Sequence, residues 1–319
     1  MKKKFLLSFL IGLLCFSFVF IGLSKNSFVK GIFNTDNVDG KDTDVEFSEE
    51  NPMEEQKIKN EILFLLMGVD AKDVKESRGT RTDTMMLTKV NFDTGEINLL
   101  SIPRDTRVLI KDKEDKINHA HSNGGVELTM RTVKDFLNLD IDYYVKVDYE
   151  IVKGVVDAIG GVEIDVPRNM KYYDNTKGFP LLDINIKKGL QVLDGKNAHD
   201  FLRWRHNNEM TRGYELGDIG RIETQQYFMK ELIKQTLKPK NLFKLPKLIE
   251  TYFENVETNI PKNLMIKGAM SSKKIDVENM KTSTIPGEFQ KIKGIDYWKY
   301  NRVETVNIVE EMFGDYILD

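Results

Sequence analysis

The chain has 319 residues, 40% hydrophobic and 30% charged, a balance that excludes a wholly disordered, fibrous or polytopic membrane protein. Its 47 basic residues stand against 50 acidic ones, net −3, so it lacks the global basic excess that marks many nucleic-acid binders. Cys15 is the sole cysteine, which excludes an intrachain disulfide and a cysteine-based zinc site.

Residues 1–4 carry Lys2, Lys3 and Lys4 and read as a cytoplasmic tail. The uncharged run 5–23, FLLSFLIGLLCFSFVFIGL, is long enough to cross a hydrocarbon core of about 30 Å as a helix. No small-x-small cleavage site follows it, so a retained signal anchor is preferred to a cleaved signal peptide. That orientation places the rest of the chain outside the cell and argues against nucleic acid as a partner. Residues 24–57 read as an acidic, flexible linker, because 34–56 hold nine acidic residues against one lysine.

Residues 58–319 read as one extracytoplasmic domain. ILFLLMGV (62–69) is a near-continuous apolar run, as a buried central strand would be. TMMLTKVNF (84–92) and EINLLSI (96–102) flank Asp93-Thr94-Gly95 and predict a hairpin. Helical spacing runs from Val126 to Leu137, and YYVKVDY (143–149) reads as a strand. His119 and His121 alternate as if on one strand face. IVKGVVDAIG (151–160) predicts a helix stopped at Gly160-Gly161, followed by the strand VEIDVP. Further helices are predicted over 195–204, 220–237, 241–256, 261–271 and 302–313. The fold class is therefore α/β, a mixed central sheet flanked by helices.

Of the 11 arginines, eight fall in two zones: Arg78, Arg81, Arg104 and Arg107, then Arg203, Arg205, Arg212 and Arg221. Arginine suits planar, bidentate recognition of phosphate or carboxylate. Arg81 and Asp83 flank a strand mouth, where alternation would put both on one face. Arg104, Asp105 and Arg107 follow Pro103 at a strand end, and three charges so close are costly to bury without an anion. Arg203 and Arg205 close one helix, and Arg221 opens another, after a loop spanning 206–217.

In order, GVD (68–70), RTDT (81–84), LLSIPRDTRV (99–108), KINHA (116–120), VDAIGGVEIDV (156–166), LDGKNA (193–198), RWR (203–205) and GDIGRIETQQ (217–226) resemble the LytR-CpsA-Psr family of cell-wall glycopolymer ligases. One departure stands out: the family's R-x-x-R-Q pattern has Thr224 where its second arginine belongs. The resemblance implies a phosphotransferase that moves an anionic glycopolymer, of teichoic acid or capsule type, from a polyprenyl diphosphate carrier to peptidoglycan. It implies an apolar tunnel for the lipid tail. It assigns Arg104 and Asp105 to catalysis, and Arg81, Arg107, Arg203, Arg205 and Arg221 to the diphosphate. Asp83 with Asp70 would hold Mg²⁺ (or Mn²⁺). A non-catalytic binder or regulator of wall assembly and a lipid-diphosphate hydrolase are the alternatives. Residues 240–319 carry little motif signal.

Overall fold

The computed structural model describes residues 60–69, 79–148, 150–176, 181–211, 218–236, 256–271 and 274–318, with a few isolated positions between them. The anchor 5–23, the linker 24–57, Asp70 and Arg212 lie outside the described residues. Among the described residues, no helix is long and apolar enough to cross a membrane.

The chain opens with β1 (Glu61–Val69), β2 (Thr82–Asn91) and β3 (Ile97–Ile102), then the small hairpin β4 (Arg107–Ile110) and β5 (Lys113–Lys116). α1 (His119–Leu137), β6 (Tyr143–Val147) and α2 (Glu150–Ile159) follow. Next come β7 (Val162–Val166), the hairpin β8 (Met170–Asp174) and β9 (Leu182–Ile186), β10 (Gly189–Leu193), α3 (Gly195–Arg203) and α4 (Asp218–Thr236). The last third holds β11 (Val256–Thr258), α5 (Lys262–Ser271), β12 (Lys281–Thr284), β13 (Gly287–Ile292), β14 (Ile295–Tyr300) and α6 (Arg302–Phe313).

The main sheet has six strands in the order β11-β6-β1-β2-β3-β12. β1 pairs antiparallel with β2 and parallel with β6, and β3 pairs parallel with β12, so the sheet is mixed as expected. Alternate side chains feed two cores. Phe64, Leu66, Met86 and Leu99 pack with α2, α3 and α4 through Val152, Phe201 and Phe228. Leu65, Met67, Leu87 and Leu100 pack with α1 and α6 through Leu128, Val133, Val309 and Phe313. Cover on both faces is why the predicted central strand reads as unbroken apolar sequence.

Three local readings change. Gly124 and Gly125 (φ −165° and +65°) interrupt α1, so its regular part starts at Val126 as the spacing predicts, and His119 and His121 lie in a short helical stretch rather than on a strand. Val256 belongs to β11, not to the end of a helix over 241–256, most of which lies outside the described residues. The step from Gly68↔Thr84 to Val69↔Thr82 leaves Asp83 as the extra residue of a β-bulge, so strand alternation does not carry from Arg81 to Asp83.

Candidate active site

The site lies where β1 ends, β2 begins and β3 ends. Asp83, re-aimed by its bulge, is buried, and Arg104 Nη1 donates to its Oδ1 at 2.8 Å. Arg104 Nε lies 3.6 Å from Asp105, and Lys116 Nζ lies 2.9 Å from the other Asp105 oxygen. With cations at both oxygens, Asp105 has the geometry of a residue that positions Arg104.

The loop that carries them is fixed through its backbone. Thr106 N donates to Pro103 O at 3.0 Å, Asn118 N to Arg104 O at 3.2 Å, and Trp298 N to Asp105 O at 2.8 Å. The motif-poor C-terminal third thus holds the Arg104 loop: β12 extends the sheet beside β3, and β14 seats Trp298 on residues 105–106.

The second arginine group arrives on α3. Asp194 caps that helix, accepting from Asn197 N at 2.7 Å, and Gly195 N donates to Asp157 Oδ1 at 2.7 Å. A Cβ at residue 195 would lie 2.5 Å from Lys153 O on α2, so this approach of the helices requires glycine. The LDG motif is thereby a packing device that fixes where α3 delivers Arg203, Trp204 and Arg205. Beyond it, Trp204 Nε1 donates to Lys171 O at 3.3 Å and stacks edge-on against Tyr214, while His206 meets Tyr172 edge-on.

Arg205 belongs with the Arg104 group. Burial first, and then the charge of Arg104, bring its pKa down to about 10, against the opposing pull of Asp83, Asp105 and Tyr172. Its Nη2 is buried with no hydrogen-bond partner among the described residues. A buried guanidinium nitrogen in that state is costly and suits an incoming anion. Arg203 and Arg205 line a cleft of about 80 Å³ with Tyr172, Leu182, Ile184 and His206.

The other predicted arginines fall further out. Arg107 pairs with Glu114 across the β4–β5 hairpin and lies 5.9 Å from the centre of the Tyr297 ring. Arg81 is exposed, and its charge helps hold the Asp115 carboxyl below the usual range, where the His119 hydrogen bond acts more strongly against the opposing effect of burial. Arg221 is fully enclosed near the start of α4, where burial pulls its pKa well below the usual value. Thr224, in place of the family's second arginine, lies 2.9 Å from both Gly220 O and the Tyr214 hydroxyl.

Sequence reasoning missed Lys116, although it opens the KINHA motif; a lysine at a strand end carries no signal of the carboxylate it will meet. The cleft at Arg203 and Arg205 sets the side chains of Tyr172, Leu182 and Ile184 beside the two guanidiniums. A recess of about 590 Å³ opens between α1 and α6, and none of the predicted site arginines lines it.

For a divalent cation the donor set is sparse. Among the described residues, no three acid, histidine or cysteine side chains converge. Asp83 offers one buried, hard carboxylate in the arginine cluster, which fits magnesium's habit of taking one or two carboxylates and completing its shell with phosphate and water.

The LytR_cpsA_psr family profile matches residues 29–314. The chain is 33% identical over 222 residues to the polyisoprenyl-teichoic acid–peptidoglycan teichoic acid transferase TagV of Bacillus subtilis, a match covering 67% of this chain and 54% of TagV. It is 30% identical over 256 residues to the transferase of the same description, TagU, from B. subtilis, covering 80% of this chain and 78% of TagU. The crystal structure of B. subtilis TagV superposes with a TM-score of 0.66 at 28% identity, covering 81% of this chain and 98% of that one. The bulged Asp83, the Arg104 loop and the arginines closing α3 are thus set in a matching frame, and the chain belongs to the LytR_cpsA_psr family.

Proposed function

We propose that this protein is a phosphotransferase that moves an anionic glycopolymer from a polyprenyl diphosphate carrier to a peptidoglycan hydroxyl. The observation that carries the reading is the convergence of Arg104 and Arg205 about Asp83, with a buried Arg205 nitrogen unpartnered among the described residues. Two mutually repelling guanidiniums beside two carboxylates form a site that gains stability when a doubly charged headgroup enters.

The acceptor oxygen attacks the phosphorus that bears the glycan. A new P–O bond forms, the bond to the distal phosphate breaks, polyprenyl phosphate leaves, and the hydroxyl proton passes to solvent or to that phosphate. Phosphoryl transfer of this kind depends on positioning and charge stabilisation. Arg104 and Arg205 hold the developing charge; Asp105, set by Lys116, fixes the orientation of Arg104. Arg203 extends the cleft, and Arg81, Arg107 and Arg221 remain assigned to diphosphate recognition by the family resemblance. Mg²⁺ (or Mn²⁺), held by Asp83 with Asp70, would neutralise charge on the diphosphate. The anchor at 5–23 would keep the domain at the outer face of the membrane.

The test incubates the purified full chain with a synthetic lipid-linked glycan, peptidoglycan and Mg²⁺. New phosphodiester between glycan and wall, seen by mass spectrometry, is expected. Binding without that product, under varied acceptors, overturns the reading in favour of a regulator; released glycan phosphate overturns it in favour of a hydrolase.

A further inference from the structure

Transfer to a hydroxyl needs a group to take the hydroxyl proton, and the carboxylates of the Arg104 group are already engaged. Asp83 accepts from Arg104 Nη1 at 2.8 Å, and the two oxygens of Asp105 face Arg104 Nε at 3.6 Å and Lys116 Nζ at 2.9 Å. Of the four histidines, His121 and His199 are buried, and His206 lines the cleft with Arg203 and Arg205, where the leaving phosphate would be held. The fourth, His119, is partly exposed and stands beside the Arg104 loop.

His119 opens α1, one residue beyond Asn118. Asn118 N donates to Arg104 O at 3.2 Å and Ile117 N to Thr106 O at 2.9 Å, so the backbone that carries His119 is tied to that loop. His119 Nδ1 lies 2.8 Å from Asp115 Oδ2, and the other Asp115 oxygen accepts from Lys116 N at 2.7 Å. Burial raises the Asp115 carboxyl, but the His119 hydrogen bond, the Lys116 N–H and the charges of His119 and Arg81 together outweigh it and hold the carboxyl below its usual range. Asp115 is therefore ionised, and Nδ1 carries the proton that joins the two. Nε2 presents its lone pair, and no hydrogen bond engages it among the described residues. One ring nitrogen held by a carboxylate and the other open is the arrangement of an oriented general base.

The sheet separates this histidine from the arginine cleft. α3, which ends in Arg203, packs on one face through Phe201 and Leu202, and α1 packs on the other through Ala120 and Leu128. The Arg104–Asp83 pair sits at the strand ends between them. Phosphoryl transfer sets the attacking and leaving oxygens roughly in line across phosphorus. With the leaving phosphate in the arginine cleft, the acceptor comes from the α1 side. A groove runs there along the β4–β5 hairpin, lined by Ile110, Lys111, Lys113, Asp115 and Asn123. Asn123 lies one helical turn beyond His119, so the two share a face.

We propose that His119, oriented by Asp115, is the general base that takes the proton from the acceptor hydroxyl. The proposal rests on the transfer reaction of the reading above. As the acceptor oxygen bonds to phosphorus, Nε2 takes its proton and the ring becomes an imidazolium beside the Asp115 carboxylate. The bond to the distal phosphate breaks with its electron pair, polyprenyl phosphate leaves, and the imidazolium gives its proton to solvent.

The test uses the full chain with lipid-linked glycan, peptidoglycan and Mg²⁺. His119→Asn sets an amide N–H where Nδ1 stood, so it keeps the bond to Asp115 and removes the base. Its kcat should fall about 10²–10⁴-fold, the usual range for a general base. Protection against thermal unfolding by inorganic pyrophosphate should match the wild type. Added imidazole should raise transfer by His119→Ala several-fold and leave the wild type unaffected, a rescue that a structural role does not give. Asp115→Asn should lower kcat several-fold, and the double variant should be no slower than His119→Asn alone, because the two side chains act as one unit. Wild-type transfer by His119→Asn overturns the proposal and leaves the transferase reading standing. A loss of kcat that comes with lost pyrophosphate protection and no imidazole rescue makes His119 structural and overturns it too. Should the wild type release glycan phosphate instead of wall-linked product, the transferase reading fails; the same loss in His119→Asn, with water as the attacking oxygen, then supports the base. A wild type that does neither overturns both.

Discussion

Arg104 and Asp83, twenty-one residues apart, are joined at 2.8 Å across the mouth of the sheet, one at the end of β3 and the other on the bulge of β2. The pairing holds the guanidinium in place before any anion arrives, which is the preorganisation that electrostatic catalysis requires.

Replacing Arg104 with Ala is expected to lower transfer about 10²–10³-fold, the usual loss for one preorganised donor. It also strips a partner from a carboxylate only 6% exposed, so stability should fall by about 1–3 kcal/mol. Adding Asp83→Asn should restore much of that stability and none of the activity. Urea unfolding beside transfer assays separates the two effects. Unchanged transfer in Arg104→Ala would remove the residue from the chemistry.

Asp83→Asn alone keeps the size of the side chain and removes its charge. Under the proposed role in cation binding, transfer should require a several-fold higher Mg²⁺ concentration. A metal titration superimposable on that of the wild type would exclude Asp83 as a ligand.

How far these residues could be read in sequence divides by range. β1, the β2–β3 hairpin and the regular part of α1 follow from apolar periodicity and a turn signal, which are local. Arg203 and Arg205 could be placed at a helix end because the Asp194 cap lies in the same short stretch. The bulge at Asp83 could not be read, because it is a mismatch between two strands and neither sequence contains it. Lys116 and the C-terminal third escaped for a related reason. Their support of the Arg104 loop runs through a long-range ion pair and through Trp298 N on Asp105 O, and a backbone bond leaves no residue-type signature.

Asp148 predicts a pH dependence of stability. Burial pushes its carboxyl up to about 6, against the N–H groups of Glu150, Ile151 and Val74, which hold it down. The folded state therefore keeps this proton to higher pH than the unfolded state does, and stability is lost as pH rises from about 4 to about 6. The loss contributed by this group is at most about 3 kcal/mol. Asp148→Asn should accept the same N–H groups without the charge. The difference in unfolding free energy between variant and wild type should grow in the variant's favour across that window. A constant difference from pH 4 to pH 7 would mean that Asp148 does not titrate there.

Gly195→Ala tests the approach of α3 to α2. The added Cβ would lie 2.5 Å from Lys153 O and 2.7 Å from Lys153 Cα, both backbone atoms that cannot rotate aside. A cost of about 1–3 kcal/mol is expected. Because α3 ends at Arg203, the shift should also weaken pyrophosphate binding, and isothermal titration beside unfolding would show both losses. A variant as stable as the wild type would mean that the helices slide apart freely.

Arg205 sets stability against function. Its guanidinium is buried, repelled by Arg104, and left with Nη2 unpartnered among the described residues, so the ligand-free protein carries it at a cost. Arg205→Met fills similar space without charge and should leave the ligand-free protein as stable or more stable, by up to about 2 kcal/mol. Inorganic pyrophosphate, used as a headgroup probe at a hundred times its Kd, should stabilise the wild type by about 2.7 kcal/mol. The same concentration should stabilise the variant far less, since the nitrogen that waits for the anion is gone. Thermal unfolding with and without pyrophosphate reads both effects in one series. If the variant is clearly less stable and pyrophosphate protects both proteins equally, Arg205 is a structural residue and the anion binds elsewhere.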